Sequence, residues 1–261
     1  MKATLRRDLI FCAVPLLLTG FAAGQTFTID FENDDTGTPM VAGSTDLRTF
    51  QPYDDLFGPS SGVLLFTNNP SPMPLNLYDS EGLTNQDDDL ERNSDPGNPG
   101  NWAGGTETNT IFNNLLIVNR DTVITNPNDN GSGGQFILRF DVALTEFSFD
   151  FVDMDAGDRA DIIFTDRQTL NSHTIPFTEF EAGSGSQHEV PGALFGNRHA
   201  NSINGITAAE LPGLSEFDEV TFDMRSSGGI GTVTFTLVPE PSLLSLLALA
   251  GAGLSGRRRR G

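Results

Sequence analysis

Between Gln25 and Val238 the sequence has no lysine, no cysteine and only eight arginines; Lys2 and Cys12 are the sole examples of their kind. Setting aside the seven basic and two acidic residues of the ends leaves 33 acidic residues in this segment, a formal charge of −25. A surface of that sign repels nucleic acid and anionic lipid, so neither is an expected partner. It also repels itself unless salt or divalent cations screen it, so plain solubility and a use for calcium both fit the charge. Without cysteine the segment can form no disulfide and offers no thiol nucleophile. His173, His188 and His199 lack metal-ligand spacing, and there is no Gly-x-Ser-x-Gly, no His-Glu-x-x-His and no glycine-rich phosphate loop. These absences argue against an enzyme. The alternative is a secreted glycosidase or lyase, whose two working carboxylates would be hidden among so many others.

What the segment does have is phenylalanine, 20 in the chain, set in alternating runs that argue against disorder despite the charge. "TFTIDFE" puts Phe27, Ile29 and Phe31 on one face; "QFILRFD" does so with Phe136, Leu138 and Phe140, and "TEFSFDFV" with Phe147, Phe149 and Phe151. "EVTFDMR" and "TVTFTLV" follow the same period of two, the mark of strands buried on one face. "GVLLFT", "NLLIVN", "ADIIFT" and "HTIPFT" are shorter apolar runs that suit strands buried on both faces. Nine or more short strands between Gly, Asn, Asp and Pro clusters predict an all-β domain over residues 25–237, a single β-sandwich of jelly-roll type. Residues 68–108 are mostly turn formers and read as a loop-rich insertion at one end of the sandwich or as a mobile region. No repeat at a fixed period is present, against a solenoid or propeller.

Both ends have a different character. Residues 1–24 carry Lys2, Arg6 and Arg7, then an apolar run, then Ala22 and Gly24 at the −3 and −1 positions for cleavage before Gln25, the pattern of a secretory signal peptide. Cys12 is no lipoprotein cysteine, because Phe11 precedes it and the apolar run continues past it. At the other end Pro239, Glu240 and Pro241 precede an apolar run closed by Arg257, Arg258, Arg259 and Arg260. A helix over residues 242–256 would rise ~22 Å, short of a hydrocarbon core of ~30 Å, which suits temporary anchorage. The arginines would hold that end on the cytoplasmic side.

In residues 238–261, "VPEP", the apolar run and "RRRR" resemble the PEP-CTERM sorting signal of exported Gram-negative proteins. The resemblance implies recognition by exosortase, a membrane-embedded cysteine transpeptidase, after transient residence in the inner membrane. It makes Pro239–Pro241 the recognition triplet and Arg257–Arg260 the stop. It also implies a destination at the cell surface or in an extracellular matrix, in bacteria that make exopolysaccharide. The body resembles a recurrent exported β-sandwich of lectin-like architecture, through "DFENDDTGTP" with "YDDLFGPSSGVLLFTN" and "NPNDNGSGGQFILRF" with "LTEFSFDFVDMDAGD". That likeness implies a fold and leaves the chemistry open.

Two sets of site residues are expected. "DFVDMDAGDRAD" sets Asp150, Asp153, Asp155 and Asp158 around a strand end and turn, a candidate calcium site because hard cations take six to eight oxygens. The competing reading is a solvated acidic turn. "NPNDNG" approaches a calcium loop at Asn126, Asn128, Asn130 and Gly131, but has no acid at its first position and Ile137 at its twelfth. Asp34 and Asp35 make a third acidic cluster after Glu32. For an extracellular polysaccharide partner, Tyr53, Tyr78 and Trp102 are the aromatic faces on which sugars could stack. Otherwise the three rings cover the ends of the sandwich.

Overall fold

The alternating phenylalanine runs pair with one another in a curled, wholly antiparallel sheet. The computed structural model describes residues 24–239 except 45–46, 48–50, 60, 68–73, 83–86, 93–99, 124 and 155–159. Among these are ten strands: β1 Thr26–Ile29, β2 Val63–Phe66, β3 Leu75–Asp79, β4 Asn114–Val118, β5 Gly134–Val152, β6 Asp161–Asp166, β7 Asn171–Pro176, β8 Ala200–Thr207, β9 Phe217–Met224 and β10 Gly229–Leu237. The described helical structure consists of three single 3-10 turns, and no described helix is long and apolar enough to cross a membrane. Residues Gln25–Val238 form one unit. The segment expected as a secretory signal, up to residue 23, and Glu240, Pro241 and Arg257–Arg260 of the expected sorting motif lie outside the described residues; Pro239 is exposed.

β5 organises the body. The two runs "QFILRFD" and "TEFSFDFV", expected as separate strands, are one strand of 19 residues. Its first half pairs with β2 on one side and β9 on the other, and β9 continues to β6 and β7. Its second half pairs with β8 and β10, and β10 carries β4 and β1 on its far side. Pairing with β9 breaks between Arg139 and Leu144, where the strand passes from one half of the sheet to the other. The halves then face each other through their phenylalanines. Phe149, on the second half, has its ring centroid 5.0 Å from that of Phe222 on β9 and 5.7 Å from that of Phe177. Phe147 meets Phe164 of β6 at 6.0 Å. Phe136, Phe140, Phe147, Phe149, Phe151 and Phe222 are all buried in this core. Apolar area of this kind contributes about 25 cal/mol per Å² removed from water, so the interlocked rings are the main source of stability.

"NLLIVN" is buried on both faces, as its unbroken apolar run predicts. Leu116 and Val118 enter the main core, while Leu115 and Ile117 join a second cluster with Tyr78, Leu90, Trp102 and Phe112. Phe112, Val152 and Ala200 complete that cluster. The described part of residues 68–108 contributes to it through β3, the 3-10 turn Asp88–Leu90 and the buried Trp102. Of the other short runs, β6 alternates buried and half-buried positions and β2 exposes Leu64, so neither is covered on both faces.

Candidate functional site

β1 ends at Ile29, and the chain then turns through Phe31 in a left-handed conformation, φ 60°. That conformation is costly for a bulky residue and survives only where the surroundings fix it. Here the Phe31 ring is buried against Tyr53, and the Asn114 side-chain amide donates to the Phe31 carbonyl at 2.9 Å and to the Met40 carbonyl at 3.2 Å. The consequence is that the next residue, Glu32, faces an open cleft of about 670 Å³. Asn113, just before β4 and also left-handed at φ 49°, lines the same cleft.

The cleft carries three carboxylates, Glu32, Asp79 and Glu81, with the amides of Asn113 and Asn114 and the hydroxyl of Thr125. Its apolar wall is Met40, Val41, Ala42 and Pro127. Each acid is held differently. Glu32 accepts the Asn114 backbone N–H at 2.8 Å. Burial pushes its carboxyl above the ordinary value against the pull of that N–H, and the charges of Asp30 and Asp79 push the same way. Asp79, at the end of β3, accepts the N–H groups of Glu81 and Gly82, both at 3.0 Å. Glu81 is gripped by Arg92 through two bonds, 2.6 and 2.5 Å. No arginine, lysine or histidine is among the described residues lining the cleft.

A second acidic group lies in the interior. Asp129, in the "NPNDNG" loop, is buried and accepts the Gly228 N–H in the turn between β9 and β10. Asp87, just before the 3-10 turn, hydrogen-bonds to it. Burial first, then Asp87, with a smaller push from Asp153, raise the Asp129 carboxyl to about 9, so at neutral pH this group keeps its proton. Asp153 is buried at φ 60° and accepts the Arg198 N–H at 3.1 Å. Arg198 is itself left-handed, φ 62°, and its Nε donates to the Asp88 carbonyl at 3.1 Å.

Of the expected calcium residues, Asp150 and Asp153 are held by different partners. Asp153 joins the Asp87–Asp129 pair, but Asp150 is in another setting on β5, where burial raises it and Ser202 and Thr232 bond to it. Asp155 and Asp158 lie outside the described residues. Asp87 and Asp129 were missed by the sequence reading. The calcium-loop template drew attention to Asn126, Asn128 and Asn130, one step away from the residue that turns inward. Asp35 forms an acidic trio with Asp54 and Asp55, their oxygens within 4.8 Å of one another. Asp54 and Asp55 are exposed, and Asp35 accepts the Asp55 N–H at 2.8 Å, as a solvated turn does.

The three aromatic residues expected as stacking faces are corrected by their burial: Tyr53 is 3% exposed, Tyr78 1% and Trp102 1%. Trp102 donates its indole N–H to the Thr110 carbonyl at 2.9 Å and packs on Phe112. The Tyr78 hydroxyl points inward, 2.9 Å from the Asp87 carbonyl and 3.0 Å from Glu91. The second face of β4 needed cover, and Trp102 and Tyr78 provide it; Tyr53 packs against Phe31. Tyr78 nevertheless contributes to the cleft wall beside Asp79.

Compared with protein-family models, curated proteins and solved structures, the chain matches none. Its function therefore rests on the two sites and the sequence motifs.

Proposed function

We propose that the chain is an exported cell-surface or extracellular-matrix protein whose body binds carbohydrate in the cleft around Glu32. The ends address it: residues 1–24 direct export, and residues 238–261 anchor it briefly in the inner membrane for an exosortase-like transpeptidase. The body is read as a β-sandwich of jelly-roll type, which the facing halves of the curled sheet support. The observation that carries the binding reading is the composition of the cleft. Carboxylates, amides and a hydroxyl suit sugar hydroxyls, and Met40, Val41, Ala42 and Pro127 suit the C–H faces of a pyranose. Side chains already fixed by backbone bonds lose little freedom on binding.

The purified full chain in detergent, titrated with a panel of oligosaccharides, should show saturable binding without turnover. A second reading, a glycosidase, is favoured by one observation: Glu32 is pushed toward the protonated form in the same cleft as Asp79, the pairing of an acid with a carboxylate that glycoside cleavage needs. Release of reducing ends that is lost in Glu32→Gln would establish that reading and overturn the first.

Calcium is also proposed as a cofactor, on the acidity of the body, which a divalent cation would screen.

A further inference from the structure

We infer that the cleft selects a glycan bearing free amines, an amino sugar in its unacetylated, cationic form, over neutral or uronate-containing chains. This rests on the carbohydrate reading and goes further by naming the charge of the ligand. Among the described lining residues every charged group is acidic. Among the described residues, Glu81 is the one of the three with a cationic partner, since Arg92 takes both its oxygens. From the described residues Glu32 and Asp79 accept N–H groups, and those bonds leave the negative charge uncompensated. An ammonium has three donors and no acceptor. Seated between Glu32 and Asp79 it would form charge-assisted bonds, which are shorter and stronger than those of a sugar hydroxyl.

A uronate would meet the same two carboxylates with its own negative charge and no cation to bridge them. An N-acetylated sugar keeps its hydroxyls and loses the ammonium, so it isolates the charge term. The exposed Val41 and the half-buried Pro127 leave the apolar wall available to the ring in either case. Overall acidity would attract any polyamine, so the cleft must be separated from the whole surface. Surface attraction is screened by salt and has no preference for ring geometry.

The test is calorimetric titration of the full chain in detergent, in about 0.15 M salt and near pH 6.5, where an amine is charged. Probes are glucosamine oligomers, their N-acetylated counterparts and uronate oligomers of equal length, with spermine as a competitor. Glucosamine oligomers should bind about tenfold more tightly than the acetylated ones, and uronates should not bind. Glu32→Gln, whose amide oxygen can still accept the Asn114 N–H, should remove the preference. Thr125→Lys, at an exposed position of the cleft, should do the same without touching any buried bond. Equal binding of acetylated and free-amine oligomers, or competition by spermine at equal strength, would overturn the inference while leaving carbohydrate binding intact. Binding of no oligosaccharide at all would remove the carbohydrate reading itself.

Discussion

Phe149→Ala is expected to destabilise the body by about 3–5 kcal/mol, the cost of deleting a fully buried aromatic ring and leaving a cavity. That is a large share of the ~5–15 kcal/mol that holds a typical domain folded. Phe149 is the hub of the core: its ring lies within 6.2 Å, centroid to centroid, of those of Phe147, Phe151, Phe177, Phe180 and Phe222. Those rings come from both halves of the curled sheet and from the turn after β7, so the void cannot close by moving one element. Thermal unfolding followed by circular dichroism should show the melting temperature falling by about 10 °C or more. Leu170→Ala, at a position 81% exposed, provides the contrast and should change stability by less than about 0.5 kcal/mol. Equal effects at the two positions would mean that the halves do not pack as described.

The second large effect concerns the buried Asp129 and its half-buried partner Asp87. Asp129 keeps its proton up to about pH 9 in the folded chain, whereas an unfolded chain releases it near 3.8. Between those values the folded state binds more protons than the unfolded state, so this group makes stability fall as pH rises across the window, with no further change above it. Asp34, Asp166, Glu189 and Glu210 are lowered by hydrogen bonds, so their stabilising contributions disappear in acid. Glu32 and Asp150 are raised as well and add to the same downward slope, so the part due to Asp129 is the difference between the wild-type and Asp129→Asn slopes. Asn at this position can accept from Gly228 and donate to Asp87, as the protonated acid does. Asp129→Asn should flatten the slope and raise the melting temperature at pH 8 by several degrees. Asp129→Ala leaves the Gly228 N–H unsatisfied and should cost about 1–3 kcal/mol. In the cation reading, millimolar calcium stabilises the native chain and a chelator reverses the effect. An unchanged melting temperature with calcium would remove the cofactor proposal while leaving the proton linkage in place.

The parts of the fold legible in the sequence were those whose side chains obey a simple period. β5, β9 and β10 were legible because apolar residues that line the main core alternate in sequence, although Ile137 and Thr221 between them are buried too. β8 was missed for a physical reason. Its buried apolar residues, Ile203 and Ile206, are three apart because a bulge sets them opposite Phe149 and Phe147, with Gly205 left-handed at φ 71°. β3 was missed because "PLNLYDS" sits among turn formers, and its partner β4 is distant in sequence. The same distance hid the role of Trp102, which read as an exposed loop aromatic until the second face of β4 was seen to need cover.

The sites were less legible than the fold. Asp153 was picked out by its acidic run, yet its neighbours Asp87 and Asp129 come from loops 66 and 24 residues away along the chain. Glu32 stood beside a noted acidic cluster, but only the turn at Phe31 sends it toward the cleft. Neither juxtaposition leaves a local signature, because each is made by the curl of the sheet.

In the proposed reading the all-β body does the work and the two ends address it. The direct test is the intact mass of the protein recovered from a Gram-negative host that has an exosortase. The account predicts an extracytoplasmic species beginning at Gln25 and lacking Arg257–Arg260. An unprocessed chain of 28.1 kDa retained in the cytoplasm would contradict it.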